Sequence, residues 1–225
     1  MTTARAQILD TLKTALRRYE REPDAARQRL RVHAANLVPA RGGDPKGGIE
    51  LFTAEAVQVD ASVIRIGDFS ELPAVAAAFL SEHNLPATLR AASSLENVPW
   101  AGQPTLDVAY GLPQADDMTG ISMAFGGVAE TGTLVFLSGP ENPTTLNYLT
   151  PNHIAVVGAA DICGDYEAIW RRIRSENTGP NGSFMPRSVN WVTGPSRSAD
   201  IEQTLLLGAH GPQRLHIVIV DEKLD

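Results

Sequence analysis

Two stretches of this chain concentrate the side chains that chemistry requires. Ala129-Glu-Thr-Gly-Thr133 packs a carboxylate, two hydroxyls and a glycine into five residues, directly before an apolar run, Leu134 to Leu137. A carboxylate at a strand end can act as base, acid or nucleophile, or can bind a substrate hydroxyl or ammonium. The hydroxyls of Thr131 and Thr133 and the amides around Gly132 suit an anion. The plainer reading is a hairpin turn whose Glu130 pairs with an arginine. The second stretch is Thr193-Gly-Pro-Ser-Arg-Ser-Ala-Asp-Ile-Glu202, which follows an apolar strand and reads as the opening of a helix. Free amides and the helix dipole favour an anion there, and Arg197 adds a forked donor for carboxylate or phosphate. Against this, Ser196 or Ser198 could simply cap the helix, with Asp200 and Glu202 satisfying its dipole and weakening any external anion. Arg197 paired with Glu130 would join both stretches into one site.

Two histidines add to the candidates. His210 lies between Gly208 and Gly211, at the expected end of that helix, where it serves as an acid or base or caps the last carbonyls. His153, in Thr150-Pro-Asn-His, precedes a strand and either lines a cleft at the sheet edge or is a satisfied turn residue. The catalytic candidates are therefore Glu130 and His210. The substrate- or anion-binding candidates are Thr131, Gly132, Thr133, His153, Ser196, Arg197, Ser198, Asp200 and Glu202. No Walker-type phosphate loop, Gly-x-Gly-x-x-Gly, His-Glu-x-x-His or nucleophile elbow occurs. The single cysteine, Cys163, allows neither an internal disulfide nor a cysteine cluster. With no basic neighbour in sequence it reads as a packed thiol.

The elements that must position these residues alternate between strand and helix. Strands are expected at Ser62–Ile66, Ala87–Ala91, Thr105–Tyr110, Ile154–Gly158, Val189–Thr193 and Leu215–Val220. Helices are expected at Leu72–His83, with Ser70 as N-cap and Pro73 in the first turn, at Tyr166–Arg174 and at Ser198–Leu207. Short apolar runs each followed by a helix are the pattern of a parallel sheet covered on both faces. Gly120 to Ser138 breaks the rhythm and reads as two strands around a glycine-rich turn. Ahead of this domain, Ile8, Leu12, Ala15, Leu16 and Tyr19 fall on one helical face, Pro23 ends that helix, and a second helical stretch runs to about Leu37. Four glycines and two prolines between Pro39 and Gly48 read as a linker. The expected division is an N-terminal helical arm over residues 1–40, a flexible linker over 41–49 and an α/β domain over 50–225.

Composition narrows the function classes. With 225 residues, 43% hydrophobic and 20% charged, the chain can bury a real core. Residues 1–41 carry nine Lys/Arg against four Asp/Glu, a net of +5, whereas the remainder carries ten against twenty-two, a net of −12. The acidic body argues against nucleic acid, because phosphate neutralisation needs a basic surface. The basic arm reads as a solvated helix face or as a dock for an acidic surface. No apolar run approaches the roughly 20 residues of a membrane helix, and no signal-peptide core follows Met1, so the expected location is cytoplasmic.

Taken together, in this order along one chain, Ala129–Thr133, Pro151 with His153, Thr193–Glu202 and Gly208–Pro212 resemble the LUD-domain family over roughly residues 50 to 222. The resemblance implies a fold similar to the ribose-5-phosphate isomerase, glucosamine-phosphate deaminase and CoA-transferase group. It also implies a role in oxidising L-lactate to pyruvate, as one of three proteins whose other two look like iron–sulfur carriers. The chain would then be the cluster-free subunit, with no cofactor of its own, a small organic acid as ligand and iron–sulfur proteins as partners. Glu130, Arg197, Asp200, Glu202 and His210 gain candidacy from their positions in these motifs. One departure stands out: the family often has a polar or acidic residue shortly before Glu-Thr-Gly, where this chain reads Met123-Ala-Phe-Gly-Gly127, which opens the way to a different organic acid. Two other readings compete. One is a stand-alone enzyme on a sugar phosphate, nucleotide or acyl-CoA, and the other is a metabolite-binding module without catalysis. The first of these rests on fold analogy alone.

Overall fold

The computed structural model describes residues 3–15, 28, 38, 40–42, 48–176, 185–199 and 205–222. Met1–Leu37 and Val38–Asp225 are separate compact units. In the first, α1 (Ala4–Ala15) is helical and solvent-exposed throughout, including Ile8 and Leu12. The expected continuation to Tyr19 and the break at Pro23 lie outside the described residues. So does the second helical stretch, apart from Gln28.

The second unit opens inside the stretch expected as a linker. Gly42 is buried in a short turn against the backbone of Gly164, and Arg41 pairs with Glu55. Helix α2 (Gly48–Gln58) follows, unforeseen in the sequence reading, and buries Phe52 and Ala56, which are four apart and so share a face. Then come β1 (Ser62–Ile66), α3 (Leu72–Glu82), β2 (Thr88–Ala91), β3 (Asp107–Tyr110) and β4 (Thr119–Met123). Ser70 does not cap α3: the N-cap position is Glu71, with no side-chain cap. The chain continues through β5 (Gly126–Val128), β6 (Thr133–Leu137), the single turn α4 (Leu146–Leu149), β7 (Asn152–Gly158), β8 (Ile162–Cys163) and α5 (Tyr166–Glu176). It closes with β9 (Val189–Val192), β10 (Arg197–Ala199), β11 (Leu205–Leu207) and β12 (Arg214–Val220).

Six strands form one parallel sheet in the order β1-β12-β7-β4-β2-β3, the parallel-rich α/β architecture expected. Its central strands are apolar because both faces are covered. Along β7 and β12, Ile154, Val156, Val218 and Val220 meet α3, while Ala155, Val157, Ile217 and Ile219 point the other way. That second face carries α2 and a four-stranded sheet in the order β8-β5-β6-β9, whose Leu134 and Phe136 fill the space between the sheets. Helix α5 covers the outer face of the second sheet through Ile169 and Ile173. Helices thus lie on both faces of the parallel sheet, and the second sheet is an addition the sequence reading lacked. The Gly120–Ser138 stretch is correspondingly three strands: β4 belongs to the large sheet, and β5 and β6 form an antiparallel hairpin in the small one.

A larger expectation is also overturned. Ser198–Leu207 is not a helix: its two ends are strands, Arg197–Ala199 pairing antiparallel with Leu205–Leu207, and residues 200–204 lie outside the described residues. Arg197 opens a strand and not a helix, so the capping roles of Ser196 and Ser198 and the helix-terminal anion site fall with it.

Gly132 ties the β5–β6 hairpin to the rest. It sits at φ 62° in the turn Ala129–Thr131–Gly132, and a Cβ there would run into the backbone nitrogen of Ala56 in α2. Both the left-handed backbone and the close approach require glycine. Gly132→Ala is expected to lower stability by about 2 kcal/mol or more. Urea unfolding checks this as a shifted midpoint at unchanged slope.

Candidate functional site

The loop from Thr193 to Arg197 leaves β9 and folds onto the turn that ends α2. Gly194 has φ 71°, and a Cβ on it would collide with the carbonyl oxygen of Val59. Arg197 pairs with Asp60, itself in a left-handed backbone at φ 64°, and not with Glu130 as entertained above. The pair is solvent-exposed on both sides, so it holds Arg197 only weakly.

Ser196 knits this loop to the Gly208–Pro212 turn. Its backbone nitrogen donates to Pro212 O (2.8 Å), its carbonyl accepts from Gly208 N (3.1 Å), and its Oγ accepts from His210 N (3.1 Å). Gly208 has φ 83°, which the tight turn between β11 and β12 requires. His210 therefore sits in a turn between strands and not at a helix end, and its exposed ring is free of the capping role.

The two loops enclose a cleft of about 380 Å³. Thr193, Ser196, Arg197 and His210 line it, with Val59, Tyr148 and Trp191 as its larger walls. Sequence reasoning missed these last three. Trp191 was findable as the residue two before Thr193 in an expected strand. Burial pushes the Tyr148 phenol up. Arg197 also borders a second cavity of about 310 Å³ that runs past Asp60 to Arg214 and His216. Among the described residues no three His, Cys, Asp or Glu side chains converge as a metal site.

The Glu-Thr-Gly turn adjoins the cleft through hydroxyls. Thr133 Oγ1, fully buried, lies 2.7 Å from Thr131 Oγ1 and 2.7 Å from Thr193 Oγ1, and Tyr166 OH is 3.1 Å from both Thr131 and Thr133. Glu130 is half-buried, and its backbone nitrogen donates to Gly164 O. Its carboxylate does not line the cleft, and no described side chain pairs with it. Gly132 is buried against α2 and presents no amide cradle to the cleft. Ser198 lies in β10, and Asp200 and Glu202 lie outside the described residues.

His153 is a correction. It does not line a cleft. It is 0% exposed in β7, on the face toward the second sheet, its ring tilted against Phe136 at 5.5 Å. Ser122 Oγ donates to Asn147 Oδ1 (2.9 Å), which commits its one hydrogen, so it accepts from His153 Nε2 at 2.8 Å. The ring is then the neutral Nε2–H tautomer, and its Nδ1 has no partner among the described residues. Burial pushes this histidine down to about 3. Cys163 keeps its reading as a packed thiol: Arg172 lies beside it in space, but burial outweighs that cation and pushes the thiol up.

Residues 114–220 match the LUD domain. The match bears out the resemblance read from the motifs, and it spans β4 to β12 and every cleft residue except Val59. Similar proteins include one from Neisseria meningitidis serogroup B, named only as uncharacterized, 39% identical over 45% of this chain and 41% of that one. Lactate utilization protein C of Halalkalibacterium halodurans is 33% identical over 49% of this chain and 46% of its own. Its namesake in a Geobacillus strain (WCH70) is 32% identical over 63% and 58%. The chain spans about half the length of these curated relatives. A crystal structure of a DUF162 family protein from Deinococcus radiodurans superposes with a TM-score of 0.54 at 18% identity, covering 79% of this chain and 98% of that one, which shows the fold. Among the described residues no helix is long and apolar enough to cross a membrane. The LUD-matching span thus contributes the loops of the cleft, while α2, outside it, contributes the floor under Gly194 and the acid that holds Arg197.

The buried histidine of the LUD-matching span sets a pH dependence. Its folded pKa of about 3 lies below the ordinary 6.5, as does that of His216, pushed down by burial to about 4. The unfolded chain therefore binds more protons between these values. The stability this contributes is complete above about pH 6.5 and is lost as pH falls through about 4 for His216 and about 3 for His153. His153→Gln is expected to be less stable at neutral pH but to lose less on acidification. The difference in slope should reach about 1.4 kcal/mol per pH unit, measured by urea unfolding across that range.

Proposed function

We propose that the cleft binds a small organic acid and that the protein serves a lactate utilization system. The observation that carries this reading is the convergence of the Thr193–Arg197 and Gly208–Pro212 loops on one cleft that holds the Arg197 guanidinium beside the side chains of Thr193, Ser196 and His210. A guanidinium with hydroxyls and an imidazole suits a 2-hydroxy or 2-oxo carboxylate. Arg197 takes the carboxylate in place of Asp60, and the hydroxyls and His210 meet the neighbouring oxygen. The likeness to proteins named lactate utilization protein C supports the choice of acid.

Electron transfer in such a system falls to partner proteins carrying iron–sulfur clusters, since one cysteine cannot supply a thiolate set. The cleft has room for acids larger than lactate.

The decisive experiment is in the native cell. Removing the protein is expected to abolish growth on L-lactate while leaving growth on a sugar intact. The wild-type chain should restore growth, and Arg197→Gln should not. Purification of a tagged chain from lactate-grown cells is expected to bring iron-containing proteins with it. Undiminished growth on lactate without the protein, together with an iron-free purification, overturns the reading.

A further inference from the structure

The cleft meets a network of hydroxyls at Thr193. Four of them, from Thr131, Thr133, Tyr166 and Thr193, make four close oxygen–oxygen contacts. Three form a triangle, Thr131–Thr133–Tyr166, and Thr193 hangs from Thr133. Only Thr193 lines the cleft, where it is exposed, while Thr133 is fully buried.

Hydrogen counting shows what the arrangement can do. Each hydroxyl owns one hydrogen and two acceptor sites. With no acceptor in the cleft, Thr193 donates inward to Thr133, and the triangle uses its own three hydrogens. When an oxygen of a ligand enters the cleft, the Thr193 hydrogen can turn outward. Thr133 then donates to Thr193, Thr131 to Thr133, and Tyr166 to Thr131. Every hydrogen is used, only the 3.1 Å contact between Tyr166 and Thr133 is given up, and all dipoles point at the ligand. Such chains polarise cooperatively in a buried setting.

The network is held rigidly enough for this. Asp165 caps α5, its Oδ1 accepting from Ala168 N at 2.8 Å, which sets Tyr166 in the first turn. The Tyr166 ring packs against Trp191 at 5.1 Å, and the Glu-Thr-Gly turn is tethered by Glu130 N to Gly164 O.

The geometry points to a reversible hydroxyl relay in which Tyr166 and the two threonines of the Glu-Thr-Gly-Thr motif position Thr193 as a hydrogen-bond donor to a carboxylate ligand in the cleft. It rests on the organic-acid reading of the cleft and names how that site recognises oxygen. Tyr166 is then a positioning residue that never touches the ligand, and the motif threonines act through Thr193.

The test titrates the full chain with pyruvate, L-lactate and inorganic phosphate by calorimetry, with Trp191 fluorescence as a second readout. Pyruvate or L-lactate is expected to bind. Thr193→Val and Tyr166→Phe should each weaken binding roughly three- to tenfold. The double variant should bind no more weakly than Thr193→Val alone, because the relay has one exit. Thr193→Ser should restore binding, and urea unfolding of each variant separates affinity from stability. The relay is overturned if Tyr166→Phe lowers stability but leaves affinity unchanged, if the two losses add, if phosphate binds in preference to both acids, or if neither acid binds. These outcomes are separate from growth on lactate, which tests the role in the cell and not the relay.

Discussion

Strand β7 has no solvent face and no free edge, and the rest of the molecule is arranged around that constraint. β12 and β4 take its two edges, α3 takes one face, and the second sheet takes the other. All seven residues from Asn152 to Gly158 are buried. A polar group admitted here can find partners only inside the protein. Asn152 reaches Met118 O and receives Arg214, and His153 donates to Ser122, which donates on to Asn147, while His153 Nδ1 goes without a partner among the described residues. The same constraint pushes ligand-accessible chemistry outward to the chain segments that enter the sheet. Gln213 N bonds to Pro151 O, so the two segments leading into β12 and β7 run side by side, and the cleft opens beside them.

That location is unusual for an open parallel sheet, where ligands generally settle beyond the carboxyl ends of the strands. Here Gly211 and Pro212 precede β12, and Tyr148 precedes β7, so the cleft lies at the amino ends. The second sheet explains the difference. β9 runs antiparallel to β6 and delivers Thr193 to the place where β12 begins. The cleft is a product of the junction between the two sheets, as much as of either one.

The strands of the parallel sheet were legible because two-sided burial leaves a plain trace, as in Ile154-Ala-Val-Val and Leu215–Val220. The small sheet was less so: β6 and β9 read as strands, but β5 lies in the glycine-rich stretch read as a turn, and nothing local shows that β5 and β6 pair with β8 and β9 from later in the chain. Ser198–Leu207 misled for the same reason: its apolar spacing suits a helix, and only the register of Arg197 with Leu207 reveals a hairpin. Helix α2 was hidden behind glycines that drew attention as a linker, although Phe52 and Ala56 carried a helical spacing. For the cleft, the motif residues Thr193, Ser196, Arg197 and His210 were visible as types, whereas Asp60 and Tyr148 carry no local signal and join only through the fold. His153 misled because polarity suggested a surface, when the apolar run after it already indicated the interior.

The Arg197–Asp60 pair has a consequence for how the cleft responds to its surroundings. An arginine that waits unpaired for an acid gains a full charge–charge attraction on binding, and dissolved ions erode that gain. Arg197 already holds a carboxylate, so an incoming acid exchanges one ion pair for another of the same kind. Ions screen both, and the difference between them changes little. On the organic-acid reading proposed above, the guanidinium would keep its preference for a planar anion with little added dependence on ionic strength.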